Sequence, residues 1–103
     1  METLEVAMGL IAGAGDSKSY SMEAISMAKE GNFKEAREAI QKATEAMVGT
    51  HDIQTQLIRD EMTGKSAAIT LLMVHAQDHI NMAMMMRDLA IEFIDLYEKL
   101  STK

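Results

Sequence analysis

Apolar residues recur at helical spacing along most of the chain, in three segments separated by two short polar breaks. The first segment runs from Thr3 to Lys29, the second from Phe33 to about Met62, and the third from Ala67 to about Leu100. Apolar positions three and four residues apart predict an amphipathic helix in each segment. Because the breaks are short, consecutive helices are expected to run antiparallel. The pattern therefore predicts an all-α, antiparallel three-helix bundle, with residues 1–103 forming a single domain.

The two breaks carry recognisable helix-end signals. Gly31 is expected to end the first helix in a left-handed conformation, and Asn32 to cap the second, with Glu35 completing a capping box. Ser66 is the predicted N-cap of the third helix. Gly13-Ala14-Gly15 lies inside the first segment and leaves three alternatives open: close approach of another backbone, a kink, or a true break.

The third segment is apolar on nearly all sides, which is unusual for a small bundle. Its most regular stripe, at alternating four-three spacing, consists of Leu71, His75, Asp78, Met82, Met85 and Leu89, with Leu96 further on. A helix that is apolar nearly all round is buried nearly all round, and a three-helix monomer can cover only part of it. We therefore predict self-association through this segment in coiled-coil-like packing, with its methionines serving as packing residues.

Composition narrows the classes of function. The chain has no cysteine and no proline, a formal net charge of −6, two tyrosines, two phenylalanines and no tryptophan. The missing cysteine excludes disulfides and thiolate metal sites, and the negative charge argues against nucleic acid or an anionic membrane surface as the main partner. The acidic first residues do not resemble a signal peptide, and Asp78, His75 and His79 argue against membrane insertion. We expect a cytoplasmic protein.

Two histidines and one carboxylate interrupt the apolar run of the third segment. Asp78 is the only formally charged residue from Ser66 to Met86, and His75 and His79 lie on the same helical arc. Burying such groups without partners costs several kcal/mol. Three interpretations remain open from these residues alone: interface histidines paired with Asp78, a zinc site built on the i, i+4 histidines, or a histidine that accepts a phosphoryl group.

The run Val74-His75-Ala76-Gln77-Asp78-His79 closely resembles the active-site signature of enzyme IIA of the lactose/cellobiose class, in the bacterial phosphoenolpyruvate-dependent sugar phosphotransferase system. The resemblance covers essentially the whole chain. It is also carried by four other segments, which are Gly13-Ala14-Gly15-Asp16-Ser17, Met22-Glu23-Ala24-Ile25, Ala28-Lys29-Glu30-Gly31-Asn32-Phe33 and His51-Asp52-Ile53-Gln54-Thr55.

The resemblance implies a phosphotransferase component that works as a homotrimer of three-helix subunits. It implies that His75 accepts a phosphoryl group on a ring nitrogen from the histidine phosphocarrier protein and passes it to a cysteine of the cognate enzyme IIB. Gln77 and His79 match neighbours of the active histidine, with hydrogen bonding to the phosphoryl group or packing both open. Asp78 matches an aspartate that gathers near the trimer axis, where one Mg²⁺ ion per trimer can sit.

Two further points stay open at this level. The alternative function is a structural metal-binding helical bundle that uses His75, Asp78 and His79 as ligands. The sugar is a disaccharide in the resembling family, and cellobiose or another β-glucoside, diacetylchitobiose and lactose are all compatible with this chain, the first being favoured.

Overall fold

Three long helices make up the described part of the chain, residues 3–65 and 68–102 of a computed structural model. They are α1 (Thr3–Lys29), α2 (Phe33–Met62) and α3 (Leu71–Ser101), and the described residues contain no strand. The molecule measures 56 × 21 × 19 Å, with a radius of gyration of 16.1 Å. A compact domain of this length has a radius of gyration near 13 Å, so the bundle is rod-shaped. The all-α fold and the bounds of the first two helices are confirmed.

Helix α1 is continuous through its cluster of glycines. Of the three alternatives for Gly13-Ala14-Gly15, the structure shows close approach to another helix. A Cβ atom added to Gly13 would lie 2.0 Å from the Oγ1 atom of Thr50 on α2. One turn further along α1, the Ser17 hydroxyl donates a hydrogen bond of 2.9 Å to the carbonyl of Ala43 on α2.

The core is built mainly from small side chains. Helix α1 packs along both α2 and α3, which contact each other less extensively. Within residues 3–65 and 68–102, only Leu10, Ile80 and Ile94 are both large and fully buried. The remaining core is dominated by alanines, namely Ala7, Ala14, Ala24, Ala28, Ala36, Ala39, Ala43, Ala76, Ala83 and Ala90. The bundle therefore buries little apolar volume for its length, and its helix axes can approach closely.

The α1–α2 turn follows the expected glycine geometry but not the expected cap. Gly31 has a φ of +84°, and the N–H groups of Gly31 and Asn32 donate to the carbonyls of Ala28 and Met27. These two bonds form a Schellman motif. The side chain of Asn32 makes no capping bond, and its ψ of 69° lies outside the extended region that a capping box needs. The predicted capping box with Glu35 is therefore wrong.

Helix α3 begins later than the sequence pattern predicts. It starts at Leu71, and the hydroxyl of Thr70 accepts a hydrogen bond of 3.1 Å from the N–H of Met73. Thr70 has extended backbone geometry, as an N-cap requires. Residues 68–70, which the pattern placed in the helix, are not helical, because the apolar periodicity extends beyond the N-cap toward the amino terminus. The predicted cap, Ser66, lies outside the described residues, as does Ala67 itself.

An ion-pair fork joins α2 to α3 near the carboxyl end of α3. The guanidinium of Arg37 donates to the carboxylates of Asp95 and Glu98, at 2.5 and 2.7 Å. These hydrogen bonds, chiefly the one that Asp95 accepts, raise the pKa of Arg37 above its ordinary value. Because all three side chains are about half exposed, such a fork is expected to contribute only about 0.2–1 kcal/mol per pair.

Candidate functional site

The predicted stripe on α3 lies on the side of the helix away from the core. Leu71, Met85 and Leu89 are 86%, 63% and 49% exposed in the single chain. His75, Asp78, Met82 and Leu96 on the same stripe are also exposed. The core contacts of α3 come instead from another set of positions, which are Met73, Ala76, Ile80, Ala83, Ala90 and Ile94. A continuous row of exposed apolar side chains of this kind is typical of a surface that contacts another protein.

His75 and His79 form a close pair near the amino end of α3. Their Nε2 atoms are 3.1 Å apart, and their rings meet edge to face with centroids 4.5 Å apart. The i, i+4 spacing places both rings on one face of the helix. His75 is exposed, whereas His79 is half-buried and its Nδ1 atom is buried without a hydrogen-bond partner among residues 3–65 and 68–102.

The 3.1 Å separation restricts the protonation of the pair. One Nε2 must carry a proton and donate while the other accepts, since two bare nitrogens or two N–H groups would repel at this distance. When His79 donates, the Nδ1 of His75 carries the proton and its Nε2 is the unprotonated nitrogen, whose lone pair becomes free for attack once the His79 N–H turns away from it. His75 then has the neutral form that acts as a nucleophile.

Gln77 points away from the histidine pair. Its side-chain carbonyl accepts a hydrogen bond of 2.9 Å from the amide of Gln54 on α2, and its own amide donates to the sulfur of Met73 at 3.6 Å. Gln77 also lines a cleft between α2 and α3 with Leu57. In the single chain the structure brings His75 and His79 together and places Gln77 against α2.

Gln54 is a residue of this region to which the sequence assigns no role. It belongs to the segment His51-Asp52-Ile53-Gln54-Thr55 and is the polar member of an otherwise apolar inner position of α2. A polar residue facing the neighbouring helix is the signal that could have singled it out. His51, from the same segment, lines a different groove together with Asp52 and Arg87.

Asp78 does not join the histidines in a three-ligand site. No group of three or more His, Cys, Asp or Glu side chains able to hold a metal comes together in the described ranges. The alternative of a structural metal bundle based on His75, Asp78 and His79 thus gains no support from the fold. In the same ranges, no helix has the length and apolar character needed to span a bilayer.

Comparison with known proteins identifies the family. Residues 5–98 match the family model described as the lactose/cellobiose-specific IIA subunit of the PTS system. The chain belongs to this family. It is 44% identical over 100 residues to the lichenan-specific phosphotransferase enzyme IIA component of Bacillus subtilis, a match covering 97% of this chain and 91% of the relative. This IIA protein is therefore a phosphotransferase component.

Solved structures resemble the IIA chain over its full length. The cellobiose-specific enzyme IIA of Bacillus anthracis superposes with a TM-score of 0.94 at 44% identity, covering 100% of this chain and 95% of that one. The chitobiose IIA protein of Escherichia coli, solved in complex with HPr, superposes with a TM-score of 0.84 at 36% identity and covers 98% of both chains. These matches confirm the family resemblance that the hexapeptide around His75 carried.

Proposed function

We propose that this IIA protein carries a phosphoryl group on His75 between the histidine phosphocarrier protein and a cysteine of its cognate enzyme IIB. The observation that carries the proposal is the exposed His75 ring, set in the family's signature and hydrogen-bonded to His79 through Nε2. Phosphoryl transfer needs positioning and charge stabilisation more than an elaborate pocket. An accessible imidazole on a rigid helix meets that need.

The reacting atom is assigned to Nε2 of His75. Nε2 is at the tip of the ring, farthest from the helix backbone, where a docked protein can reach it. Its lone pair attacks the phosphorus, a new N–P bond forms, and the N–P bond to the donor histidine breaks, leaving that electron pair on the donor nitrogen. In the second transfer the cysteine thiolate attacks the same phosphorus, and the electron pair returns to Nε2.

His79 and Gln77 are given different roles. With Nε2 of His79 only 3.1 Å from the reacting nitrogen, its N–H is placed to donate to an oxygen of the bound phosphoryl group, where negative charge needs stabilising. Gln77 acts as a positioning residue, because its bond to Gln54 fastens α3 to α2 beside the site. Of the two roles left open for these neighbours of the active histidine, hydrogen bonding to the phosphoryl group is thus proposed for His79 and packing for Gln77.

The assembled form is proposed to be a homotrimer built on the α3 stripe, with His75 left accessible at the edge of that stripe, since it is rotated by about 40–60° around the helix from Leu71 and Asp78. Leu71, Met85 and Leu89 supply an exposed apolar seam, and Asp78 lies on it as the single carboxylate. Three Asp78 side chains around one axis would repel unless a cation or protons intervene. Carboxylate oxygens suit Mg²⁺, so one ion per trimer at the axis is proposed, held by the three copies of Asp78.

The relatives support the proposed partners and the proposed class of sugar. A chitobiose IIA protein has been solved with HPr, which supports the histidine phosphocarrier protein as donor for this chain. The enzyme IIB cysteine is the acceptor implied by the family. Relatives named for lichenan and cellobiose, each at 44% identity, favour a β-glucoside such as cellobiose over lactose. The carrier need not touch the sugar itself.

The proposal is tested by labelling in a reconstituted relay with phosphoenolpyruvate, enzyme I and the histidine phosphocarrier protein. His75→Ala should abolish labelling of the IIA chain, because the substitution removes the imidazole nitrogen that accepts the phosphoryl group. His51→Ala and His79→Ala should both retain an acceptor, with His79→Ala slowed by loss of the donated hydrogen bond. Label that persists on a folded His75→Ala variant would sink the assignment.

A further inference from the structure

We propose that the His75–His79 pair is also a chelating site for Zn²⁺, and that an ion bound there blocks phosphorylation of His75. Nothing in the family relationship assigns a transition metal to these two residues. The binding half of the proposal stands on the geometry of the pair. The inhibition half rests on the function proposed above.

The two imidazoles are already spaced as zinc ligands. Nitrogens bound to a tetrahedral zinc ion at about 2.0–2.1 Å lie about 3.3–3.4 Å from each other. The two Nε2 atoms are 3.1 Å apart. Chelation therefore needs little change in this distance. It needs a rotation of the rings, whose centroids are now 4.5 Å apart, so that both Nε2 lone pairs converge on one ion and both protons sit on Nδ1.

The chemistry of the pair selects the class of ion. Imidazole nitrogen suits zinc and its neighbours in the first transition row, whereas Mg²⁺ prefers oxygen ligands. The Mg²⁺ used in phosphotransfer assays is thus not expected to compete for the pair. His75 is exposed, so water can complete the coordination of an ion held by two protein ligands. Such an open, two-ligand site differs from a structural metal centre based on His75, Asp78 and His79, because Asp78 takes no part in it.

Zinc and the phosphoryl group would compete for the same electron pair. The Nε2 lone pair of His75 that forms the N–P bond is the one that would bind the metal. Bound zinc therefore removes the nucleophile, and phosphorylation removes a zinc ligand. Linkage requires the two effects to be reciprocal, so phosphorylated protein should bind zinc at this pair more weakly than unphosphorylated protein.

The binding half is tested by calorimetric titration of the unphosphorylated full chain with zinc chloride. We expect one ion per chain, and a dissociation constant at least about tenfold weaker in His79→Ala and in His75→Ala, as loss of a metal ligand requires. His51→Ala is the matched control, since it removes the third histidine, from another groove on α2. Unchanged affinity in His79→Ala, or lost affinity in His51→Ala, overturns the site.

The inhibition half is tested by mixing prephosphorylated histidine phosphocarrier protein with IIA protein that has been loaded with zinc. We expect slower phosphorylation of His75, recovery on addition of a chelator, and loss of the zinc effect in His79→Ala at zinc concentrations that saturate only the wild type. Phosphorylation of zinc-loaded wild type at the metal-free rate overturns this half. If zinc binds the pair but His75 is never phosphorylated, the proposed function fails and the metal site stands.

Discussion

Position 13 sets the distance between α1 and α2. Gly13 faces Thr50, and the space that a methyl group would need is already taken by the Thr50 hydroxyl. Gly9 lies four residues earlier on the same helix and has nothing within 4 Å of an added Cβ. A methyl group would therefore clash at position 13 and would be accommodated at position 9, although both glycines lie inside an α-helix and neither has a positive φ.

Gly13→Ala is expected to destabilise the protein by about 1–3 kcal/mol, because a Cβ 2.0 Å from the Thr50 hydroxyl forces that buried side chain out of its position or moves the helices apart. Gly9→Ala should instead stabilise by about 0.5–1 kcal/mol through helix propensity. Denaturant unfolding monitored by circular dichroism measures both. Adding Thr50→Ala to Gly13→Ala should recover part of the loss, and full stability of the single variant would contradict the close contact.

The hexapeptide around His75 shows what a motif can and cannot predict. Its residue types identified the family, whose signature implies His75 as the reacting histidine, and helical spacing placed His79 beside His75. Neighbourhood in sequence did not predict the surroundings of Gln77, which lies two residues from His75 yet contacts Gln54 on α2. Two residues along an α-helix rotate a side chain by about 200°, so its contacts depend on which helix packs there.

The amino end of α3 is the helix end that lies nearest to the histidine pair. Thr70 caps it, five residues before His75, while the α1–α2 turn relies on glycine geometry with no cap from Asn32. Helix periodicity predicted the existence and length of the helices well. It could not predict these ends. Near the second break the sequence offers Thr63, Ser66 and Thr70 as candidate caps, and near the first break Asn32, the one candidate there, has a backbone geometry that does not suit a cap.

Thr70→Ala is expected to cost about 0.5–2 kcal/mol, since it removes the side-chain acceptor of the Met73 N–H. The effect should be local, with faster amide hydrogen exchange in the first turn of α3 and slower phosphorylation of His75. Asn32→Ala is the matched control, because Asn32 makes no capping bond and its loss should cost far less. Equal losses in the two variants would show that the Thr70 cap contributes nothing.

At the scale of the whole molecule, the bulky apolar side chains are on the outside. The stripe on α3 is matched by an apolar groove between α1 and α3 that Met22, Met82 and Phe93 help to line. The core contains few large side chains, while many large apolar side chains of α3 are exposed. Both features are explained if further subunits cover α3. Sequence periodicity predicted this need for partners, and the exposure of Leu71 and Leu89 is consistent with it.

Leu89→Glu should convert the proposed trimer to monomers, because it places three carboxylates in an apolar seam at a cost of several kcal/mol. Sedimentation equilibrium measures the change in mass. Met62→Glu provides the control, since Met62 is 81% exposed at the end of α2, away from the stripe. A Leu89→Glu protein that remains trimeric would place the interface elsewhere.

Asp78→Leu should keep or strengthen the trimer, because replacing a buried ionic cluster with apolar side chains is often neutral or stabilising by 1–4 kcal/mol, roughly. The thermal midpoint in buffer with and without a chelator measures the effect, and the chelator should matter only when Asp78 is present. Dissociation of the variant into monomers would show that a cation bridge is essential for assembly.

The alanine-rich core has a consequence for how the protein behaves in a cell. A subunit whose described residues include only three large, fully buried side chains gains little free energy from folding alone, so its folded state is expected to draw on the proposed trimer assembly. Stability of this kind depends on protein concentration by mass action. Sparse expression would then leave unassembled chains open to proteolysis, and the phosphoryl relay would become active only once synthesis passes a threshold.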